Sequence, residues 1–329
     1  MYVRIILPIE DITIDTGVQI EGFTVFPGKG FHELANFKTQ KLFRFFGDYL
    51  HFTLEPKYIL YYEGEISEHP RFGNSEDLNK VLESLTDYFI SFFNLLWLQK
   101  DNSVHSSRMY IEYIDYLEDS IFYLRDMLYT ISDKSCMCKT VKFTKEEINE
   151  AIATYDKFFP LLNPDINDKF AAPTFDNGVQ PQASALMIYT FSRIVRAYDF
   201  LDFARNQFDS IVKITFYVAC YECLFTSGNS EMTHQVSERA SLYIGGTREE
   251  KQDNYDLLKQ AYSIRSRYIH GDTIKKSRED LLKILDPLDE LTRKVFNKVL
   301  NEPDIFLLKP NAKGITPEYD QYFKDLIFS

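Results

Sequence analysis

The spacing of the hydrophobic residues changes near residue 75. Before it, short runs rich in β-branched and aromatic side chains predict strands over Val3–Leu7, Val18–Val25 and Phe52–Tyr62. After it, apolar residues recur every three or four positions, which is the period of a helix with one buried face. We therefore expect an N-terminal region of mixed strand and helix, followed by a region that is mostly helical.

The helical pattern divides into segments whose ends can be recognised. Thr144 and Glu147 form a capping box, and Ser75 and Ser277 each precede acidic residues in the manner of an N-cap. Glycines mark several of the breaks. Helices are predicted from residue 75, over 113–131, from 144 to before Pro160, and over 183–203, 209–225, 233–244, 248–270 and 277–300, with a shorter one over 318–327.

The clearest break in the chain lies at residues 160–181, where four prolines and a glycine stand among Asn and Asp residues. The chain is expected to be α+β overall and mostly α. It divides into an N-terminal α+β region over 1–160, a linker over 161–181, a bundle of four to five helices over 182–302 and a tail over 303–329.

The last turns of the helix over 248–270 carry the most unusual residues. One stripe of that helix has spacings of four, three and four and includes an arginine: Leu258, Tyr262, Arg265 and Ile269. An arginine within an apolar stripe is rare unless it is paired or used in function. Gly271 predicts the end of the helix, so His270 falls in the last turn, where the helix dipole attracts a cation.

Arg265-Ser-Arg-Tyr-Ile-His270 resembles the R-x4-6-H motif of HEPN domains, which are small helical bundles, many of them metal-independent ribonucleases. The segment Tyr217–Phe225 resembles the helix that carries an acidic residue in the Apea-like branch of that family. The segment Glu231–Ala240 resembles the one that follows it there. The three pieces occur in the family's order, and the resemblance covers about residues 182–302.

This resemblance implies a homodimer in which two copies of the motif meet at a cleft and cut RNA. Arg265 and His270 are then the catalytic residues, and Ser266 or Arg267 assists at the substrate. The biological setting implied is prokaryotic antiviral defence or a toxin-like growth arrest. Glu222 is an acid in an apolar run and needs a partner. A pair with Arg265 or Arg239 would either support the site or only fix the helix register.

The chemistry of RNA cleavage suits these residue types. RNA carries its own nucleophile, the 2′-hydroxyl, so an enzyme needs a base, an acid and a cation rather than a metal. Histidine titrates near neutral pH, and the planar fork of arginine binds phosphate oxygens in pairs. One histidine and one arginine are few for a reaction that moves two protons, which favours a two-fold dimer.

The net charge of −12 disfavours a general polyanion binder. A local exception runs from residue 265 to 278, where Lys275, Lys276 and Arg278 join the two arginines of the motif against Asp272 alone. These three residues are candidates for RNA binding, and a solvated loop is the alternative.

Other features of the sequence bound the function further. Cys136-Met-Cys138 matches structural zinc spacing poorly, and Cys220-Tyr-Glu-Cys223 lies inside an apolar helix, so we expect buried free thiols and neither a metal nor a cofactor. We find no signal peptide, and the longest apolar run, Phe89–Leu98, covers about half a membrane span. A cytoplasmic protein without a membrane partner is therefore expected.

Two alternatives to a ribonuclease remain open. A non-catalytic HEPN bundle would bind RNA, a nucleotide or a partner protein and would keep Arg265 paired for packing alone. In the other alternative, the N-terminal region is the functional centre and the bundle only dimerises it.

Overall fold

The computed structural model describes residues 2–15, 18–29, 31, 40–47, 54, 57–66, 78–114, 119–127, 130–162, 192–228, 231–308 and 316–328. The protein is α+β, with its strands in the N-terminal part and most of its helices in the C-terminal part. The chain forms two compact units. The first comprises residues 1–133 and 137–155, and the second comprises residues 134–136 and 156–329.

An antiparallel sheet organises the first unit. Its six strands lie in the order β3-β4-β5-β1-β6-β7, and a separate parallel pair joins β2 to β8. The strands are β1 (Tyr2–Ile9), β2 (Ile12–Ile14), β3 (Gln19–Ile20), β4 (Phe23–Pro27), β5 (Tyr58–Glu65), β6 (Arg108–Ile114), β7 (Ser120–Asp126) and β8 (Val141–Phe143). The central strand β1 pairs with β5 over its whole length, Tyr2 opposite Glu65 and Ile9 opposite Tyr58.

Both faces of the sheet are covered. Helix α2 (Leu78–Leu96) packs on one face, where Phe89 meets Phe23 edge-on with ring centroids 5.1 Å apart. The other face is covered in part by Phe31, Leu54 and α1 (Gln40–Phe46). The predicted cap of α2 at Ser75 lies outside the described residues.

The helix predicted over residues 113–131 is wrong. This part of the chain is a β-hairpin in which β6 pairs with β7, Met109 opposite Arg125 and Ile114 opposite Ser120. Residues 108–114 are rich in β-branched and aromatic side chains, which a sheet accommodates well. The helical spacing downstream of them arose by coincidence. Residues 115–118, between the two strands, lie outside the described residues.

Helix α3 (Lys145–Leu162) begins as predicted. The amide of Glu147 donates to Thr144 Oγ1 across 3.3 Å, and the amide of Thr144 donates to Glu147 Oε2 across 2.8 Å. The helix does not end before residue 160 but continues to Leu162, so the two units divide within α3, at residues 155 and 156. The rest of the expected linker, residues 163–181, lies outside the described residues, as do residues 182–191.

The second unit is helical in the part that the structure describes. Its longer helices are α4 (Arg193–Arg205), α5 (Ser210–Phe225), α6 (Met232–Ile244), α7 (Arg248–Ile269) and α8 (Arg278–Asn301). The apolar helix α5 packs against α4, α6, α7 and α8, which places it at the centre. Tyr217, Val218 and Leu224 of α5 are buried in this core.

The tail packs back onto the second unit, and the short helix predicted within it is present. It contains α9 (Asp304–Leu307) and α10 (Pro317–Phe328), and α10 lies against α6. Phe306 and Tyr319 are fully buried, and Phe323 is nearly so. The tail is therefore an integral part of the helical unit.

Candidate active site

Helix α7 presents Arg265 and His270 at its C-terminal end. The helix begins with a capping box between Thr247 and Glu250 and ends with His270 as its C-cap. Gly271 follows with φ +75°, and the amides of Gly271 and Asp272 donate to the carbonyls of the last helical turn. Glycine reaches this left-handed conformation without a side-chain clash, so the helix stops where the sequence predicts.

Arg265 is held by Glu222 of α5. Nη2 of the arginine donates to Oε2 of the carboxylate across 3.0 Å, and the side chains are 26% and 13% exposed. Of the two partners that the sequence offered Glu222, the structure selects Arg265. The carboxylate enters from a helix that is otherwise almost wholly apolar, so it is directed at one cation rather than at solvent.

Each member of this ion pair keeps hydrogen-bonding capacity. Oε1 of Glu222 is buried and accepts no hydrogen bond from the described residues. Within the residues that the structure describes, Arg265 makes one side-chain hydrogen bond, which it donates through Nη2. The guanidinium fork can therefore donate to a further acceptor, such as a phosphate oxygen, while Glu222 fixes its orientation.

Tyr262 completes the surroundings of Arg265. It lies one turn earlier on α7, is 9% exposed, and has its ring centre 5.6 Å from the guanidinium carbon. Burial, followed by the charge of Glu222, raises the pKa of the Tyr262 hydroxyl. A neutral hydroxyl, a carboxylate and the tyrosine ring therefore surround one side of the arginine, a site that suits a cation.

His270 lies in solvent. It is exposed, and its ring makes no hydrogen bond or ion pair with the residues that the structure describes. Of the other predicted site residues, Ser266 is half-buried and its carbonyl accepts from the His270 amide across 3.0 Å, while Arg267 is exposed. The imidazole is thus free to contact a ligand, about one and a half turns beyond Arg265 along α7.

The three predicted RNA-binding cations are also exposed. Lys275 and Lys276 lie in the connection between α7 and α8, and Arg278 begins α8. Ser277 caps α8 as expected by accepting from the amide of Asp280 across 3.1 Å. Two acids follow in the first turn of α8, Glu279 and Asp280, and they reduce the local positive charge.

The apolar stripe that includes Arg265 is mostly used within the chain. Leu258 and Tyr262 are buried, whereas Ile269 is 56% exposed. A different apolar surface remains open, formed by Phe203, Phe208 and Phe216 near the junction of α4 and α5. The sequence pattern does not mark this surface, because α5, which carries Phe216, is apolar on most of its faces.

Two arginines that sequence analysis did not single out as a pair close the C-terminal end of α5. Arg193 donates to the carbonyls of Cys223 and Thr226, and Arg239 donates to that of Phe225. The ring of Tyr319 lies 4.1 Å from the Arg193 guanidinium, and the Tyr319 hydroxyl donates to the carbonyl of Leu224. The two arginines and the tail helix thereby satisfy carbonyl groups within about one turn of Glu222 that would otherwise lack partners.

Other candidate groups carry no role. His234 is exposed, and its Nδ1 lies 3.8 Å from Glu238 Oε2 on the same helix. All four cysteines are free thiols. The described residues contain no group of three or more His, Cys, Asp or Glu side chains placed to hold a metal.

A groove of about 700 Å³ lies near the other end of α7. Its lining on α7 runs from Glu250 to Leu257, and Leu257 lies about 12 Å along the helix from Arg265 at the usual helical rise, so no residue of the motif lines the groove. Two of its lysines are occupied: Lys294 pairs with Glu290 across 2.8 Å, and Lys298 donates to the carbonyl of Tyr243 across 2.6 Å. The groove is therefore separate from the motif.

No family model, curated protein or solved structure matches this chain. No helix in the described ranges has the length and apolar character needed to cross a bilayer.

Proposed function

We propose that the second unit is a HEPN-type endoribonuclease that cuts RNA without a metal. The observation that carries this proposal is the arrangement at the end of α7. An exposed imidazole, His270, caps the helix in which a partly buried guanidinium, Arg265, is oriented by Glu222. These are the residue types that phosphodiester cleavage by the 2′-hydroxyl requires.

In the proposed reaction, Arg265 donates to the phosphate oxygens next to the cleavage point. A histidine accepts the proton of the 2′-hydroxyl while O2′ forms a bond to phosphorus. The bond from phosphorus to O5′ breaks, and an acid returns a proton to the leaving oxygen. The products are a 2′,3′-cyclic phosphate and a 5′-hydroxyl, so neither an oxidant nor a second substrate is needed.

The proposal includes a homodimer. One chain supplies one His270 and one Arg265, whereas two-fold symmetry doubles both and provides a base and an acid at one cleft. The open surface of Phe203, Phe208 and Phe216 offers apolar area for such an association. Along α5 it continues as a half-buried stripe at spacings of three and four, Phe216, Ala219 and Cys223, which reaches the turn that carries Glu222.

The experiment that tests the proposed reaction is an analysis of the cleaved ends. Purified protein is incubated with end-labelled RNA in excess chelator, beside the same RNA carrying a single 2′-deoxy position at the main cleavage point. The proposal expects a 2′,3′-cyclic phosphate end and no cut at the deoxy position. A 3′-hydroxyl end, or full inhibition by the chelator, would instead indicate metal-dependent chemistry.

A second candidate function is a non-catalytic HEPN bundle that binds RNA, a nucleotide or a partner protein. The observation that favours it is the same ion pair, since an arginine held by a buried carboxylate stabilises helix packing without any substrate. The two candidates differ at His270, because the cleavage reaction requires its imidazole as a base or acid and helix packing in a scaffold does not. If wild-type protein binds RNA tightly but leaves it intact, the scaffold is favoured.

The first unit has a proposed role as a sensing or binding domain. Deleting residues 1–155, up to the division between the units, tests this assignment. Cleavage that persists in the truncated protein places the activity in the helical unit. Growth arrest on expression of the full chain, absent for His270→Ala, would support a toxin-like or antiviral setting.

A further inference from the structure

Tyr268 is an aromatic side chain in solvent at the end of α7. It is 44% exposed, whereas Tyr262, two turns earlier, is 9% exposed. Most large aromatic residues of the same unit, such as Tyr217, Tyr221 and Tyr243, are fully buried. Tyr268 makes no aromatic or cation–π contact with the described residues, so its ring contributes little to packing here.

The position of Tyr268 relates it to the proposed phosphate site. It follows Arg265 by three residues, and side chains at this spacing are neighbours on a helix surface. Helical side chains lean toward the N-terminus, so Tyr268 is expected to lean toward the turn that carries Arg265. Arg267 precedes it and His270 follows two residues later, and both are exposed.

The charge of the surroundings complements a nucleic acid. Exposed cations follow at Lys275, Lys276 and Arg278, and the acids among them are Asp272, Glu279 and Asp280. In a chain with a net charge of −12, residues 265–280 carry five arginine or lysine side chains and three acids, and the exposed ring of Tyr268 lies within this segment. Proteins that hold single strands combine these two elements, cations for the backbone and aromatic rings for the bases.

We propose that Tyr268 is a positioning residue on which a base stacks beside the phosphate held by Arg265. This inference rests on the proposed function and adds a residue that the cleavage chemistry does not require. Stacking needs an open base face, so the nucleotide at this position must be unpaired. An adjacent stacked base would also fix the phosphate relative to His270, which lies two residues further on.

The test is a binding measurement with 12-nucleotide RNA carrying 2′-O-methyl groups, which cannot be cleaved by 2′-hydroxyl attack. Fluorescence anisotropy compares wild type, Tyr268→Ala, Tyr268→Phe and the control Ile269→Ala, which removes a more exposed apolar side chain next to it. Loss of one stacked base is worth about 1–3 kcal/mol, so Tyr268→Ala should weaken single-strand binding about 5- to 150-fold. Tyr268→Phe and Ile269→Ala should bind as wild type does, and Tyr268→Ala should not change duplex binding.

Single-strand binding by Tyr268→Ala that equals wild type would overturn the inference. So would an effect of the same size on duplex, or a change in the sedimentation of the RNA-free protein, which would make the ring a protein contact. A different result would contradict the proposed ribonuclease function. If Tyr268-dependent binding is present but natural RNA is left uncut, stacking stands and the nuclease proposal falls.

Discussion

Arg265 and Glu222 join two helices of the second unit through a hydrogen bond of 3.0 Å between Nη2 and Oε2. The pair is partly buried, so its attraction is screened less than that of a surface pair and more than that of a core pair. Because only one arm of the guanidinium is occupied, the same contact can fix helix packing and prepare the arginine for phosphate. The proposed ribonuclease and the alternative non-catalytic bundle both depend on this ion pair.

A double-mutant cycle tests whether the pair forms in solution. Glu222→Ala, Arg265→Ala and the double variant are compared by urea unfolding followed by far-ultraviolet circular dichroism. We expect a coupling energy of about 1 kcal/mol, since the arginine keeps some contact with solvent. Coupling indistinguishable from zero would mean that the two side chains do not interact, and the orienting role of Glu222 would be lost.

The tail helix α10 should stabilise the second unit. Tyr319 is fully buried between Arg193 and α5, so Tyr319→Ala should destabilise this unit by about 3–5 kcal/mol. Tyr319→Phe keeps the ring and loses the hydrogen bond to the Leu224 carbonyl, which costs about 1 kcal/mol. The matched control is Phe328→Ala on the same helix, where the ring is 88% exposed.

Circular dichroism provides the measurement for these three variants. The single tryptophan, Trp97, is buried in the first unit and its fluorescence reports that unit separately. A dichroism transition that Tyr319→Ala leaves unchanged would show that α10 does not pack as described.

The stability of the second unit should fall between about pH 10 and pH 12. Burial raises the pKa of Tyr319 to about 12 from an ordinary value near 10. The neutral form is therefore favoured in the folded chain. The contribution of the neutral Tyr319 hydroxyl to the free energy of unfolding is fully present below about pH 10 and is lost as the pH rises through about 12.

The check is urea unfolding at a series of alkaline pH values. Tyr319→Phe should make the unfolding free energy fall less steeply with pH in this range. The difference in slope should correspond to about one proton, the one that Tyr319 releases on unfolding. Equal slopes for wild type and Tyr319→Phe would contradict the assigned pKa shift. Other buried tyrosines, such as Tyr221 and Tyr243, also have raised pKa values and give the common background of both proteins.

If the chain dimerises through the open surface of Phe203, Phe208 and Phe216, charged side chains introduced there should dissociate the dimer. Phe203→Asp with Phe216→Asp should convert a dimer to a monomer in sedimentation velocity, and cleavage per chain should fall with it. Leu124→Asp is the control, because Leu124 is 47% exposed in the first unit and Phe203 is 48% exposed. A dimer that survives the double change would associate through another surface.

Local signals in the sequence predicted several features of the fold correctly. The capping box at Thr144, the cap at Ser277 and the helix stop at Gly271 each depend on residues within one turn. The hairpin of β6 and β7 was missed because pairing with β1 decides its structure, and a helical period in the sequence does not report that contact. The sequence also does not predict that the two units divide within α3. That division depends on which hydrophobic core each turn of the helix packs against.

The candidate site was predictable only in part. Arg265 stands out as a charge in an apolar stripe and Glu222 as an acid in an apolar helix, so complementary charge predicts an ion pair for Glu222. The sequence left Arg239 as an equal alternative, and only the structure selects Arg265. The arrangement of Arg193, Arg239 and Tyr319 joins three helices that are far apart in sequence. No local pattern marks such a contact, which only the folded chain brings together.

The most direct test of the central proposal compares single-turnover cleavage by wild type, His270→Ala, Arg265→Ala and the control His234→Ala, all in excess chelator. Loss of the acid–base or phosphate-binding group should lower the rate by at least about 100-fold in the first two variants. His234 is an exposed histidine of the same unit without an assigned role, so its variant should cleave as wild type does. Equal rates for all four proteins would contradict the account, because the cleavage would then arise from a different site or a contaminant.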